Sequence, residues 1–171
     1  PLWGPVGNQQ SFRSRMGQKM LAEGGSVDGK FTREDLVDRL IGNRAWLVEE
    51  VLVDLIAHCE AQGNTPVTSA SGASVDISSS CAALAQFDGR MNLNSVGAML
   101  FREFATEFRR NPQWQVAYDP SQPGTTPNTL LANDVVLSQL ATAQERIQNA
   151  GLAVDATLGE VQFVERSLPN G

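Results

Sequence analysis

Among the 171 residues there is one histidine, His58, so a Ser/His/Asp relay has a single candidate base. His58 stands beside Cys59 inside an apolar helical pattern, which favours a structural ring over a general base. Ser78, Ser79 and Ser80 are candidate nucleophiles, yet at a helix start hydroxyls accept from free backbone amides, and capping accounts for them. Glu49, Glu50 and Asp54 fall along the exposed side of one helical pattern, and Asp28, Glu34 and Asp38 are scattered; they read as solvated carboxylates, with no pair set for acid/base work. The two cysteines, Cys59 and Cys81, are 22 positions apart and make no CxxC spacing, so with one imidazole in the chain a zinc site is set aside. They form either a disulfide, worth about 3 kcal/mol in an oxidising compartment, or two buried thiols; the residues alone leave both open. The glycines of GGSVDG and DGR lack the strand-then-helix setting of a phosphate loop. No residue is assigned to a metal or a cofactor.

Arg13 and Arg15 are the suggestive pair. Both open a helical stretch, where the helix dipole disfavours a cation, so at least one should answer to a local anion or carbonyl. The plainer alternative is a surface arginine or a structural salt bridge.

Composition bounds the partners. Thirteen Lys and Arg against nineteen Asp and Glu give a net charge of −6, without a dense basic cluster, which argues against nucleic acid. No apolar run approaches the roughly 18 residues of a membrane span, and no basic-then-apolar leader is visible. At 42% hydrophobic, the chain is long enough for one domain with a core, or one lobe of a larger enzyme.

Helices must position these residues. Residues 1–10 contain Pro1, Gly4, Pro5 and Gly7 and read as an irregular lead-in; Ser11 then opens FRSRMGQKMLAEG, closed by Gly24 and Gly25. Thr32 and Asp35 resemble a capping box, and Leu36, Val37, Leu40 and Ile41 follow at helical spacing until Gly42, giving a short amphipathic second helix. Across residues 44–62, Trp46, Leu47, Val51, Leu52, Leu55, Ile56 and Cys59 recur at three and four, widened by Val48 and Val53, which makes this the central helix. Residues 64–74 read as a loop, after which Ile77, Cys81, Leu84 and Ala85 resume the helical period and turn Cys81 inward. Asn94 or Ser95 caps the next helix, whose stripe is Val96, Leu100, Phe104 and Phe108, and Asn111 and Pro112 stop it. Residues 112–129 hold Pro112, Pro120, Pro123 and Pro127 and read as a long Pro-rich surface crossing. The last clear helix covers 133–150, with Val136, Leu140, Ala143 and Ile147 inward and Gly151 as its stop. Residues 158–171 begin LGEVQFV and read as one helical turn or a strand end without a partner.

The succession SFRSRMGQKML, FTREDLVDRLIGNRAWLVEEVLVDLI, CAALAQFDGRMNLNSVGAMLFREF and LGEVQFVERSLP resembles the large chain of penicillin-acylase-type amidohydrolases, most like their acyl-homoserine-lactone acylase and aculeacin acylase branch. FDGRMNLNSVGAMLF and the NR-x5-EEVLVDLI stretch are its most particular parts. Phe87 stands where many relatives have Trp, and Asn92 and Asn94 replace acidic residues; these changes concern packing rather than chemistry.

The resemblance implies N-terminal nucleophile hydrolases, zymogens that cut themselves to expose a Ser, Thr or Cys whose own α-amine is the base. No histidine is then required. It further implies that this chain is a mainly α lobe, residues 1–171 as one helical fragment excised from an αββα enzyme, with 158–171 as a truncated edge. The nucleophile and oxyanion asparagine would precede Pro1, and further core strands would follow Gly171. Its partners would be the remainder of its own β-chain, the α-chain, and a small N-acyl amide: an acyl-homoserine lactone, a lipopeptide or a β-lactam side-chain amide. The fragment alone would be inactive. Among its own residues the resemblance marks Arg13, seven before the Met20–Leu21 pair, in a supporting role at the active site. It implies no cofactor in this segment and admits a calcium ion in the full-length parent. Export to the periplasm or beyond would favour the Cys59–Cys81 disulfide. The rival expectation is a free-standing helical protein-binding or scaffold domain; an excised lobe should bare an apolar patch and a self-contained domain should not.

Overall fold

The computed structural model describes residues 7–162. Among them the architecture is mainly helical, as the periodicity predicts, with two small hairpins. Helix α1, Phe12–Ala22, starts where the Ser11 hydroxyl accepts from the Ser14 amide at 3.1 Å. Helix α2, Arg33–Ile41, has the full capping box: the Asp35 amide donates to Thr32 Oγ1 (3.1 Å) and the Thr32 amide to Asp35 Oδ2 (2.8 Å). Helix α3, Trp46–Gln62, runs through the core and buries Val51 and Leu55 completely.

Helix α4, Ser78–Ala85, is tied to α3 by the Cys59–Cys81 disulfide, with Cα atoms 5.6 Å apart. Helices α5, Ala98–Arg110, and α6, Asp134–Asn149, form the most extensive interface. Leu100, Phe104 and Phe108 from α5 and Val136, Leu140, Ala143 and Ile147 from α6 are all buried, each large side chain contributing roughly 1.5–3 kcal/mol of transfer free energy. Arg146 of α6 closes the edge of that interface on Glu103 (3.0 Å) and Glu107 of α5. The turn α7, Leu158–Val161, lies at the end of the described part; Phe163 and Val164 of LGEVQFV and the first six residues of the lead-in lie outside it.

Several expectations need correction. The 64–74 loop contains a hairpin, β1 (Val67–Thr68) against β2 (Ser74–Val75), whose two-residue strands are too short to show alternation. The 112–129 crossing is in fact the body of a second hairpin: β3 (Trp114–Val116) pairs antiparallel with β4 (Asn128–Leu130), and Pro120 and Pro123 lie in the connection between them. Neither Asn94 nor Ser95 caps α5. Gly97 does, at φ +78°, where an added Cβ would meet the Ala83 carbonyl at 2.7 Å; Val96 therefore precedes the helix, and Ser95 instead donates to Asp88 (2.9 Å).

The three serines do not cap α4 either. Asp76 accepts from the Ser78 amide (2.9 Å) and hydroxyl (2.5 Å), while Ser80 is buried and donates to Gln144 Oε1 (2.5 Å). Val53 is 78% exposed and Ala85 is also outside the core stripe. The apolar residues of α2 form a stripe, but it faces outward: Leu36, Val37, Leu40 and Ile41 are all exposed.

Candidate functional site

Two residues along a helix turn the side chain by about 200°, so Arg13 and Arg15 cannot share a face of α1. Arg15 lies on the side of α1 that carries Gln18, Lys19 and Ala22, and is 2% exposed. Its guanidinium stacks on the Trp46 ring at 3.6 Å, and it donates from Nε to the Gly124 carbonyl (3.0 Å) and from Nη1 to the Pro127 carbonyl (2.7 Å). Burial lowers its pKa, and the Glu50 carboxylate opposes that shift. Glu50 itself accepts from the Thr129 amide at 3.3 Å, on the same connection. The expected local carbonyl partner of an α1 arginine is thus present, and its arginine is Arg15.

Arg13 points the other way. It is exposed at the edge of an open groove of about 810 Å³ between α1, the end of α2, the start of α3 and α5. Met16, Met20, Trp46, Leu47 and Phe101 give the groove apolar walls; Arg13, Arg39, Arg44, Arg102 and Arg109 surround them. Two of these arginines are engaged. Arg44 makes a two-pronged pair with Glu23 (2.7 Å each) and a second with Glu49 (2.6 and 2.9 Å), and Arg39 reaches Glu23 (3.1 Å) and the Gly24 carbonyl. Lys19 adds a contact to Glu49 at 2.7 Å. The hydrogen bonds from Arg44, with help from Arg39, hold the Glu23 carboxyl down at about 2 against the opposing effect of burial. Glu49 is lowered in the same way, first by Arg44 and then by Lys19. Glu49 is therefore part of an ion-pair network rather than a free solvated carboxylate.

The other sequence candidates are not brought to this groove. The His58 ring places Nε2 3.0 Å from the Asn133 carbonyl at the start of α6, a structural use. Ser78, Ser79, Ser80 and the cystine lie around α4. No group of three or more His, Cys, Asp or Glu able to hold a metal occurs among the described residues, and no described helix is long and apolar enough to cross a membrane. Sequence reasoning missed the Arg15 latch, because Arg15 falls among the polar positions of α1 and its two carbonyl acceptors lie 109 and 112 residues further along the chain.

What the described residues define is a mainly helical, disulfide-linked lobe with one arginine-edged groove and no nucleophile–base pair. The model of the penicillin amidase family matches residues 2–170, and the chain belongs to that family. It is similar to the acyl-homoserine lactone acylase PvdQ of Pseudomonas savastanoi pv. phaseolicola, 29% identical over 166 residues, covering 92% of this chain and 20% of that protein. A PvdQ from Pseudomonas fluorescens (strain Pf0-1) is 30% identical over 172 residues, 96% of this chain and 21% of its own. The aculeacin-A acylase of Actinoplanes utahensis is 40% identical over 107 residues, 58% of this chain and 13% of that enzyme. The chain spans about a fifth or less of each of these relatives.

Proposed function

We propose that this chain is a helical part of the β-chain of an exported amidase, whose parent hydrolyses an N-acyl amide through a covalent acyl-enzyme on an N-terminal nucleophile outside these residues. The family match over residues 2–170 carries this reading, with the acylase relatives pointing to acyl-homoserine lactone or lipopeptide amides as the substrate class. In that enzyme, attack by the N-terminal side chain on the amide carbonyl releases the amine, and water then releases the acid. The 171 residues act as one bracing unit for the catalytic core. The same reading admits a calcium ion in the full-length parent.

Arg13 takes the supporting role. Its permanently charged fork can orient a carbonyl or carboxylate but cannot carry a proton. Its position on the groove edge, exposed and without a hydrogen-bond partner among the described residues, supports this assignment. A periplasmic or secreted location agrees with the Cys59–Cys81 bridge.

The test is expression of the full encoding gene beside the 171-residue chain. The full product should cut itself into two chains and hydrolyse acyl amides, and the short chain should release no product. Turnover by the short chain would place the chemistry inside it and overturn the reading.

A further inference from the structure

The arginine-edged groove is unusual for this chain. Five of its thirteen Lys and Arg residues line the groove, and no Asp or Glu lines it, although the chain carries a net −6. Arg39 and Arg44 are neutralised by Glu23 and Glu49, but Arg13, Arg102 and Arg109 are exposed and make no ion pair among the described residues. Arg39 Nε is buried without an acceptor. Positive charge and unmet donors therefore surround an apolar floor.

Leu40, 83% exposed, is both a groove-lining residue and a member of the outward stripe of α2. The groove thus continues into the bare face made by Leu36, Val37 and Ile41. A small carboxylate could fill the groove but would leave that face uncovered. A polypeptide segment covers both, and arginines around an apolar centre fit the usual anatomy of a protein interface, with charges at the edge to fix register.

We infer that the groove and the outer face of α2 seat a polypeptide segment of the parent enzyme that pairs apolar side chains with carboxylates. This deepens the amidase reading and rests on it for the identity of the polypeptide. Its apolar residues meet Leu40 and Met20, and its carboxylates meet Arg102 and Arg109.

The experiment places a photo-reactive benzoylphenylalanine at Thr106, an exposed groove residue, in the full-length product, and identifies the cross-linked peptide by mass spectrometry. The expected peptide comes from the same polypeptide outside these 171 residues and carries Asp or Glu among apolar residues. Arg102→Glu with Arg109→Glu should lower that cross-link by about tenfold or more, and Arg102→Lys with Arg109→Lys should largely retain it. Thermal melting of the full-length product with the same substitutions checks that it still folds. A cross-link to a peptide without acidic residues, no cross-link, or displacement by dodecanoate at unchanged melting temperature would overturn the inference. An active, self-cut amidase lacking the cross-link sinks this inference alone. An acidic cross-link in a product that hydrolyses no amide sinks the amidase reading alone.

Discussion

The α3–α5–α6 half and the α1–α2 half both carry apolar residues at helical spacing, yet they spend that spacing differently. In the first, the apolar stripes of α3, α5 and α6 close on one another, and Val51, Leu55, Leu100, Phe104, Phe108 and Leu140 lose all contact with water. In the second, α1 is held by Arg15 and an ion-pair network, and α2 turns four apolar side chains outward. The difference teaches that an amphipathic pattern states which face will be covered, without stating whether the cover belongs to the same chain.

The largest effect should come from breaking the closed half. Phe104→Ala removes a fully buried ring packed against Phe101 and Phe108, and should lower unfolding free energy by about 3–5 kcal/mol in urea titrations. Replacing both Cys59 and Cys81 by Ser should cost about 2–4 kcal/mol, and thiol titration of the unreduced protein should find neither sulfur free. Arg15→Ala leaves the Gly124 and Pro127 carbonyls unpaired and uncovers Trp46; a loss of about 2–3 kcal/mol is expected, with faster proteolysis in the connection between β3 and β4.

The open half should be distinguished by pH. Glu23 has its folded pKa depressed from 4.5 to about 2, so its contribution is present above pH 4.5 and is lost as pH falls towards 2. Melting temperature followed from pH 6 to pH 3 should fall, and Glu23→Gln should flatten that part of the profile. The smallest effect belongs to Leu40→Ser. Because Leu40 is already in water, the isolated chain should change by less than about 0.5 kcal/mol, while its tendency to self-associate at high concentration should drop.

Legibility in the sequence followed the range of the interactions. Ser11, the Thr32–Asp35 box and Asn133 act on amides three residues away, and they mark their helix starts in the bare sequence. Gly97 was not readable as a cap, because its role depends on the closeness of Ala83 across a turn. The hairpin of β3 and β4 stayed hidden behind its prolines, since the pairing of Trp114 with Leu130 is decided by packing rather than by alternation. At the groove, Arg13 stood out with Arg15 as a cation at a helix start, and only the resemblance chose between them. Arg102 and Arg109 were not among the sequence candidates; the fold sets them on the same groove as Arg13.

The acceptors of Arg15 lie 109 and 112 residues further along the chain. A ribosome adding 5–20 residues per second needs on the order of ten seconds to deliver them. Throughout that interval the Arg15 guanidinium lacks both of its carbonyls. The N-terminal helix of this lobe is accordingly among the last pieces to settle, and whatever shelters it meanwhile shares in the making of the protein.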